Sequence, residues 1–115
     1  MITETNIYKL DPDITVVQIK GRLHLGNLLA SAENSVKKLI SDGARKVVVD
    51  LAELDYIDSA GIGFLVSCHG TMDSAGGMFR VSGAKGSVAK VFGIGKLDRL
   101  LLFDADLDAS RSQFA

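Results

Sequence analysis

The segment Tyr56-Ile57-Asp58-Ser59-Ala60-Gly61-Ile62-Gly63 gathers the chemically capable residues of this chain into one short stretch. A carboxylate and a hydroxyl stand side by side, framed by aliphatic residues and two glycines. Asp58 and Ser59 are both capable N-caps for a helix that starts here. Gly61 and Gly63 fall in its first turns, where each costs up to ~1 kcal/mol against alanine. Glycines there permit close backbone approach by the sheet or by a partner. Two roles are open to Ser59. In one it simply caps the helix. In the other it is a regulated hydroxyl. Phosphorylation would add about −1.5 to −2 charges at the positive end of a helix dipole, beside Asp58 and near Asp55. The fold accepts an anion at that place, while an approaching partner meets a new charge.

Other chemistries fail on spacing. Glycine is 12 of 115 residues, so a nucleotide-binding loop is the first to test. Gly95-Lys96 is followed by Leu97, and Lys90 stands five residues before Gly95, so the phosphate-loop pattern fails twice. Gly61-Ile62-Gly63 lacks the third glycine of a dinucleotide fingerprint, because Val66 occupies that position. A serine nucleophile elbow needs glycine two residues before Ser59, where Ile57 stands. Only His24 and His69 are available as histidine bases, and no feature of the sequence brings either to Ser59. Cys68 and His69 are neighbours on a helix and point about 100° apart, so they do not converge on one metal ion. They read as a buried thiol and a surface or half-buried imidazole. No cofactor, no metal and no enzymatic activity are expected.

The elements that must position the Asp58–Ser59 pair follow from the apolar pattern. Ile7–Leu10 and Ile14–Ile19 are strand-like and flank the turn Asp11-Pro12-Asp13, where the only proline sits. This predicts an N-terminal hairpin whose second strand ends at Gly21. Leu28, Leu29, Ala32, Val36, Leu39 and Ile40 recur at helical steps and predict a helix over 27–41. Asn27 is its expected N-cap and Gly43 its left-handed C-terminal residue. Lys46-Val47-Val48-Val49-Asp50-Leu51 has a continuous apolar centre, the mark of a central strand covered on both faces. A loop is expected over 53–58, then a helix over 59–74 with Ile62, Leu65, Val66, Cys68, His69 and Met72 available for its inner side. Met78–Val81 reads as a strand, Ser87–Phe92 as a short helix and Leu100–Phe103 as a last strand. Residues 105–115 are expected as a tail, holding a short helix around Leu107 or frayed. The expected fold is α/β: one domain over 1–115, its core about 5–104, with a mixed sheet, an N-terminal hairpin and helices packed on the sheet.

Composition narrows the function classes. Hydrophobic residues make up 47% and charged residues 23%, which excludes intrinsic disorder. Thirteen basic residues against fourteen acidic ones leave a formal charge of −1, so no bulk field favours nucleic acid. One cysteine allows no intramolecular disulfide. The first residues are short and polar with no apolar core of signal-peptide length, and no apolar run reaches the ~18 residues that span a bilayer. A cytoplasmic domain without direct contact to nucleic acid or membrane is expected.

At this level of detail the chain resembles a STAS domain of the anti-sigma factor antagonist type, over about residues 5–104. The residues that carry the resemblance are Gly21-Arg22-Leu23, Gly26-Asn27, Val47-Val48-Val49-Asp50-Leu51 and Gly93-Ile94-Gly95-Lys96-Leu97-Asp98-Arg99-Leu100-Leu101. The most specific is Asp58-Ser59-Ala60-Gly61-Ile62-Gly63. The resemblance implies a partner switch. Unphosphorylated members bind an anti-sigma factor that is also an ATP-dependent serine kinase, and so free a sigma factor. The kinase phosphorylates a serine at the start of the second helix and the complex dissociates. A phosphatase of the protein phosphatase 2C type resets it. Ser59 matches the phosphoacceptor position and Asp58 the acidic residue before it. Two positions depart from the pattern. His24 stands where many members carry Asp, and Ala60 where many carry Ser, which leaves Ser59 as the one acceptor.

The expected partner surface comprises His24, Asp55, Tyr56, Asp58, Ser59, Ala60, Gly61 and Gly63. Two other readings compete. One is a non-switching scaffold subunit of a larger complex, stressosome-like or lipid-transport-like. The other is a ligand or lipid carrier, or a small hydrolase.

Overall fold

The Asp11-Pro12-Asp13 turn folds β1 (Glu4–Asp11) back antiparallel on β2 (Ile14–Leu23), with Ile7 opposite Val17 and Glu4 opposite Lys20. From there the chain alternates. The computed structural model describes residues 4–114. Helix α1 spans Asn27–Ser41, β3 Lys46–Asp50, β4 Leu54–Ile57, α2 Ser59–Ser74 and β5 Met78–Ser82. Then come α3 (Gly86–Ile94), a 3-10 turn (Leu97–Arg99), β6 (Leu102–Asp104) and α4 (Leu107–Phe114). Among the described residues the strands form one mixed sheet in the order β1-β2-β3-β5-β6, parallel except for the hairpin, and β4 pairs with β2 off this path.

The valine triplet sits at the centre of this sheet, as its unbroken apolar run predicts. Val47, Val48 and Val49 are fully buried. Successive strand residues face opposite ways. Val47 and Val49 join Val17, Ile19, Phe79 and Val81 under α1 and α2, in a core that includes Leu29, Val36, Phe64, Leu65, Cys68 and Met72. Val48 faces the other way, into a second cluster with Ile14, Val16 and Phe114 of α4. Burying each such side chain contributes about 1.5–3 kcal/mol. The last helix therefore covers the second face of the sheet. It is pinned there by Asp104, which takes two hydrogen bonds from the Arg80 guanidinium at 2.6 and 3.1 Å and a third from the Ser110 hydroxyl at 2.6 Å.

Several expectations are corrected. Strand β2 does not end at Gly21. It continues to Leu23 by changing partners: Thr15–Gln18 pair with β3, and Gly21–Leu23 pair with β4. Gly21 has φ +90°, and its amide donates to the Glu53 carbonyl at 3.0 Å, which fastens the change-over. The expected loop over 53–58 therefore contains a strand. Gly21 pairs with Leu54 and Arg22 with Tyr56, so Asp55 is an extra, bulged residue. Gly26, not Asn27, occupies the N-cap position of α1, and no side chain caps that helix. Leu28 lies on the apolar stripe by spacing but is 54% exposed. Phe64, absent from the expected inner side of α2, is buried, whereas Ile62, Val66 and His69 are only half-buried. Helix α3 is longer than 87–92. Leu100 and Leu101 follow the 3-10 turn instead of starting the last strand, which opens at Leu102.

Candidate functional site

The partner change in β2 carries the chain to the site. Beyond Gly21, the register Leu23 to Ile57 brings the ends of β2 and β4 level. The Asp58 amide donates to the Leu23 carbonyl at 3.1 Å, and α2 starts at the next residue. Asp58 has extended backbone, with φ −108° and ψ −176°, as an N-cap requires. Its Oδ1 accepts from the Gly61 amide at 2.9 Å, and its carbonyl accepts from the Ile62 amide at 3.0 Å.

The choice left open between two caps is thus settled by geometry. Asp58 is the cap. Ser59 is the first helical residue, exposed and outside the capping bond. The second carboxylate oxygen of Asp58 accepts from the Leu25 amide at 3.0 Å. The Gly61 amide holds the Asp58 carboxyl below the usual carboxylate range, helped by the Leu25 and Ala60 amides and the charge of His24. The group is an anion at neutral pH, at the positive end of α2.

The two glycines do different work. Gly61 is buried, and a Cβ there would lie 2.7 Å from the Leu23 carbonyl oxygen and 2.8 Å from Ile57 Cγ1. Close approach at Gly61 is therefore internal, between α2 and the end of β2. Gly63 is exposed, and nothing lies within 4 Å of a Cβ built on it. It leaves a bare patch of helix facing outward. Ala60 is half-buried and packs against the core.

The remaining expected site residues ring this turn. His24 is exposed, with Nδ1 3.0 Å from the Leu25 carbonyl oxygen. Tyr56 is 41% exposed, and the Arg22 guanidinium lies over its ring, 4.2 Å from the centroid. Asp55 is exposed on the bulge, and its carbonyl accepts a 3.4 Å bond from the Ser87 hydroxyl at the start of α3. Three neighbours escape a reading by spacing alone: Arg22, Leu25 and Leu28. Leu25 is 76% exposed. A pocket of about 140 Å³, lined by Arg22, His24, Gly26, Asn27 and Leu28 among others, opens beside them. A leucine between two turn residues, in Leu23-His24-Leu25-Gly26, is the signal that marks this loop.

The other candidates lie elsewhere. Cys68 is buried, and burial pushes its thiol up to about 12. The His69 ring meets Phe79 edge-on at 6.4 Å, and its Nδ1 is buried without a hydrogen-bond partner. Among the described residues, no group of three or more His, Cys, Asp or Glu is placed to hold a metal ion. No helix among them is long and apolar enough to cross a membrane.

Residues 7–110 match the family model of the STAS domain. The chain belongs to the STAS domain family. The TM1081 homolog of Thermotoga neapolitana, a candidate anti-sigma factor antagonist, is 24% identical over 94 residues, covering 82% of this chain and 83% of its own. The anti-sigma factor antagonist of Mycobacterium paratuberculosis superposes with a TM-score of 0.81 at 20% identity, covering 97% and 93% of the two chains. SpoIIAA, the Bacillus cell fate determinant, in its phosphorylated form superposes with a TM-score of 0.76 at 15% identity, covering 97% and 100%. This STAS domain therefore shares its whole fold with anti-sigma factor antagonists and resembles them in sequence.

Proposed function

We propose that this STAS domain is an anti-sigma factor antagonist switched by phosphorylation of Ser59. In this reading the unmodified protein binds an anti-sigma factor that is also a serine kinase, and a sigma factor is released. The kinase transfers the γ-phosphoryl group of ATP to Ser59 Oγ, the hydroxyl proton leaves, and ADP is released. The modified protein then lets go. A phosphatase of the protein phosphatase 2C type hydrolyses the ester, with water supplying the oxygen carried off in inorganic phosphate. The setting is cytoplasmic.

The observation that carries this reading is the division of labour at the start of α2. Asp58 makes the cap, so Ser59 is exposed with no capping duty. A hydroxyl in that position is open to a kinase, and its modification leaves the helix start in place. The likeness to SpoIIAA, solved in a phosphorylated form, supports the same reading. The surface offered to the partner is the ring of His24, Asp55, Tyr56, Asp58 and Ser59 with the bare helix at Gly63. Ala60 and Gly61 support it from inside.

A dianion on Ser59 would lie at this surface beside the Asp58 carboxylate. Burying it against a partner shaped for a neutral hydroxyl brings desolvation and like-charge repulsion. The test is calorimetric titration of phosphorylated and unmodified protein against the anti-sigma factor kinase. The expected loss is about 100-fold, or ~2.7 kcal/mol. Equal affinities would favour a non-switching scaffold subunit instead.

A further inference from the structure

The Asp58 carboxylate belongs to two elements at once. Oδ1 accepts from the Gly61 amide at 2.9 Å within the first turn of α2. Oδ2 accepts from the Leu25 amide at 3.0 Å, in the loop between β2 and α1, thirty-three residues earlier in the chain. Among the described residues, little else holds that loop. Helix α1 has no side-chain cap, and nothing lies within 4 Å of a Cβ on Gly26. Among the described residues, the His24 ring makes its hydrogen-bond contact with the neighbouring Leu25 carbonyl of the same loop. The loop nevertheless displays Leu25 at 76% exposure and leads directly into Leu28 at 54%. Large apolar side chains exposed together beside a functional turn are the informative kind of surface.

We propose that Asp58 is the positioning residue through which a phosphate on Ser59 is read at Leu25. The phosphate, on the adjacent residue, repels the carboxylate, which keeps its capping bond to the Gly61 amide. Oδ2 then leaves the Leu25 amide. Leu25 and Leu28, the apolar part of the surface offered to the anti-sigma factor kinase, lose their fixed placement. The identity of that partner rests on the proposed function above, and the tie itself does not. The amides and His24 that keep Asp58 ionised support the geometry, because only the ionised carboxylate accepts at both oxygens without competition.

Asp58→Asn separates the two arms. Asparagine caps a helix about as well as aspartate, through its one carbonyl oxygen. Its amide group is a donor and accepts nothing from the Leu25 amide. Residue-resolved amide hydrogen exchange by NMR needs no partner. In Asp58→Asn the Leu25 amide should exchange about 10-fold faster while the Gly61 amide keeps its protection, and affinity for the anti-sigma factor kinase should fall about 10-fold without any phosphate. Phosphorylated wild type should show the same acceleration at Leu25, and this arm stands by itself should Asp58→Asn fail to fold. Leu25 exchange unchanged by phosphorylation, with affinity lost all the same, would overturn the tie and leave the switch standing. Faster Leu25 exchange with unchanged affinity would uphold the tie and sink the proposed function.

Discussion

A Cβ on Gly61 would stand 2.7 Å from the carbonyl oxygen of Leu23, so the first turn of α2 rests directly on the end of β2. The contact is backbone against backbone, and neither side can swing away. Gly61→Ala should therefore destabilise the fold by about 1–3 kcal/mol, the range for overpacking a tight site. Gly63→Ala, two residues on, meets nothing and should stabilise by up to ~1 kcal/mol through helix propensity. Urea unfolding of the two variants should give opposite signs.

Ser59→Ala should leave the thermal midpoint almost unchanged, because Asp58 makes the capping bond. Asp58→Ala should cost about 1 kcal/mol, the usual loss for a removed N-cap. Thermal melts in parallel distinguish the two. Incubated with the cognate kinase and ATP, wild type should gain one phosphate by mass spectrometry, at Ser59, and Ser59→Ala none.

Gly63→Arg should weaken binding to the anti-sigma factor kinase by more than ~1 kcal/mol while, like Gly63→Ala, leaving the fold no less stable. The side chain has open space to occupy, so its effect would be on whatever approaches from outside. Undiminished affinity in a titration would remove the exposed start of α2 from the partner surface.

The pair formed by Arg80 and Asp104 predicts how stability depends on pH. Their side chains are only 10% and 7% exposed. The hydrogen bonds from Arg80, first, and from Ser110 hold the Asp104 carboxyl below its ordinary value. A depressed carboxyl contributes stability that is full above its unfolded value of about 3.9 and is lost as pH falls through the folded value. Asp104→Ala should cost about 3–5 kcal/mol at pH 7, since it strands a buried guanidinium. In denaturant melts the gap between wild type and variant should narrow as pH drops below about 4.

What spacing reveals in this chain is burial that repeats. Val47-Val48-Val49 announces a two-faced strand, and Leu29, Ala32, Val36 and Ile40 announce one face of α1. Strand β4 is hidden because its pattern is broken from within. Leu54 and Ile57 are three residues apart and both buried with two exposed residues between them, a pattern that no regular strand with one buried face shows. The bulge at Asp55 restores the alternation, and only the pairing with β2 creates that bulge. Leu100-Leu101-Leu102-Phe103 misleads for a related reason. A short apolar run does not say which of its residues serve a turn and which a strand. At the site, the Asp58-Ser59 pair stands out by type, but which of the two caps depends on backbone angles. The tie to Leu25 spans thirty-three residues and leaves no local trace.

Strand β2 behaves as two strands in series. Its first half is locked into the central sheet by β1 and β3, with side chains buried on both faces. Its second half pairs with β4 at only three positions and leans on the Gly21–Glu53 hydrogen bond. The end of the molecule that carries Ser59 is nevertheless tied to the valines, because Leu23, Leu54 and Ile57 belong to the same core. Sequence change at that end is cheap only on its outward side, at positions such as Leu25, Ser59 and Gly63, which leaves that side free to diverge toward different partners on an unchanged scaffold.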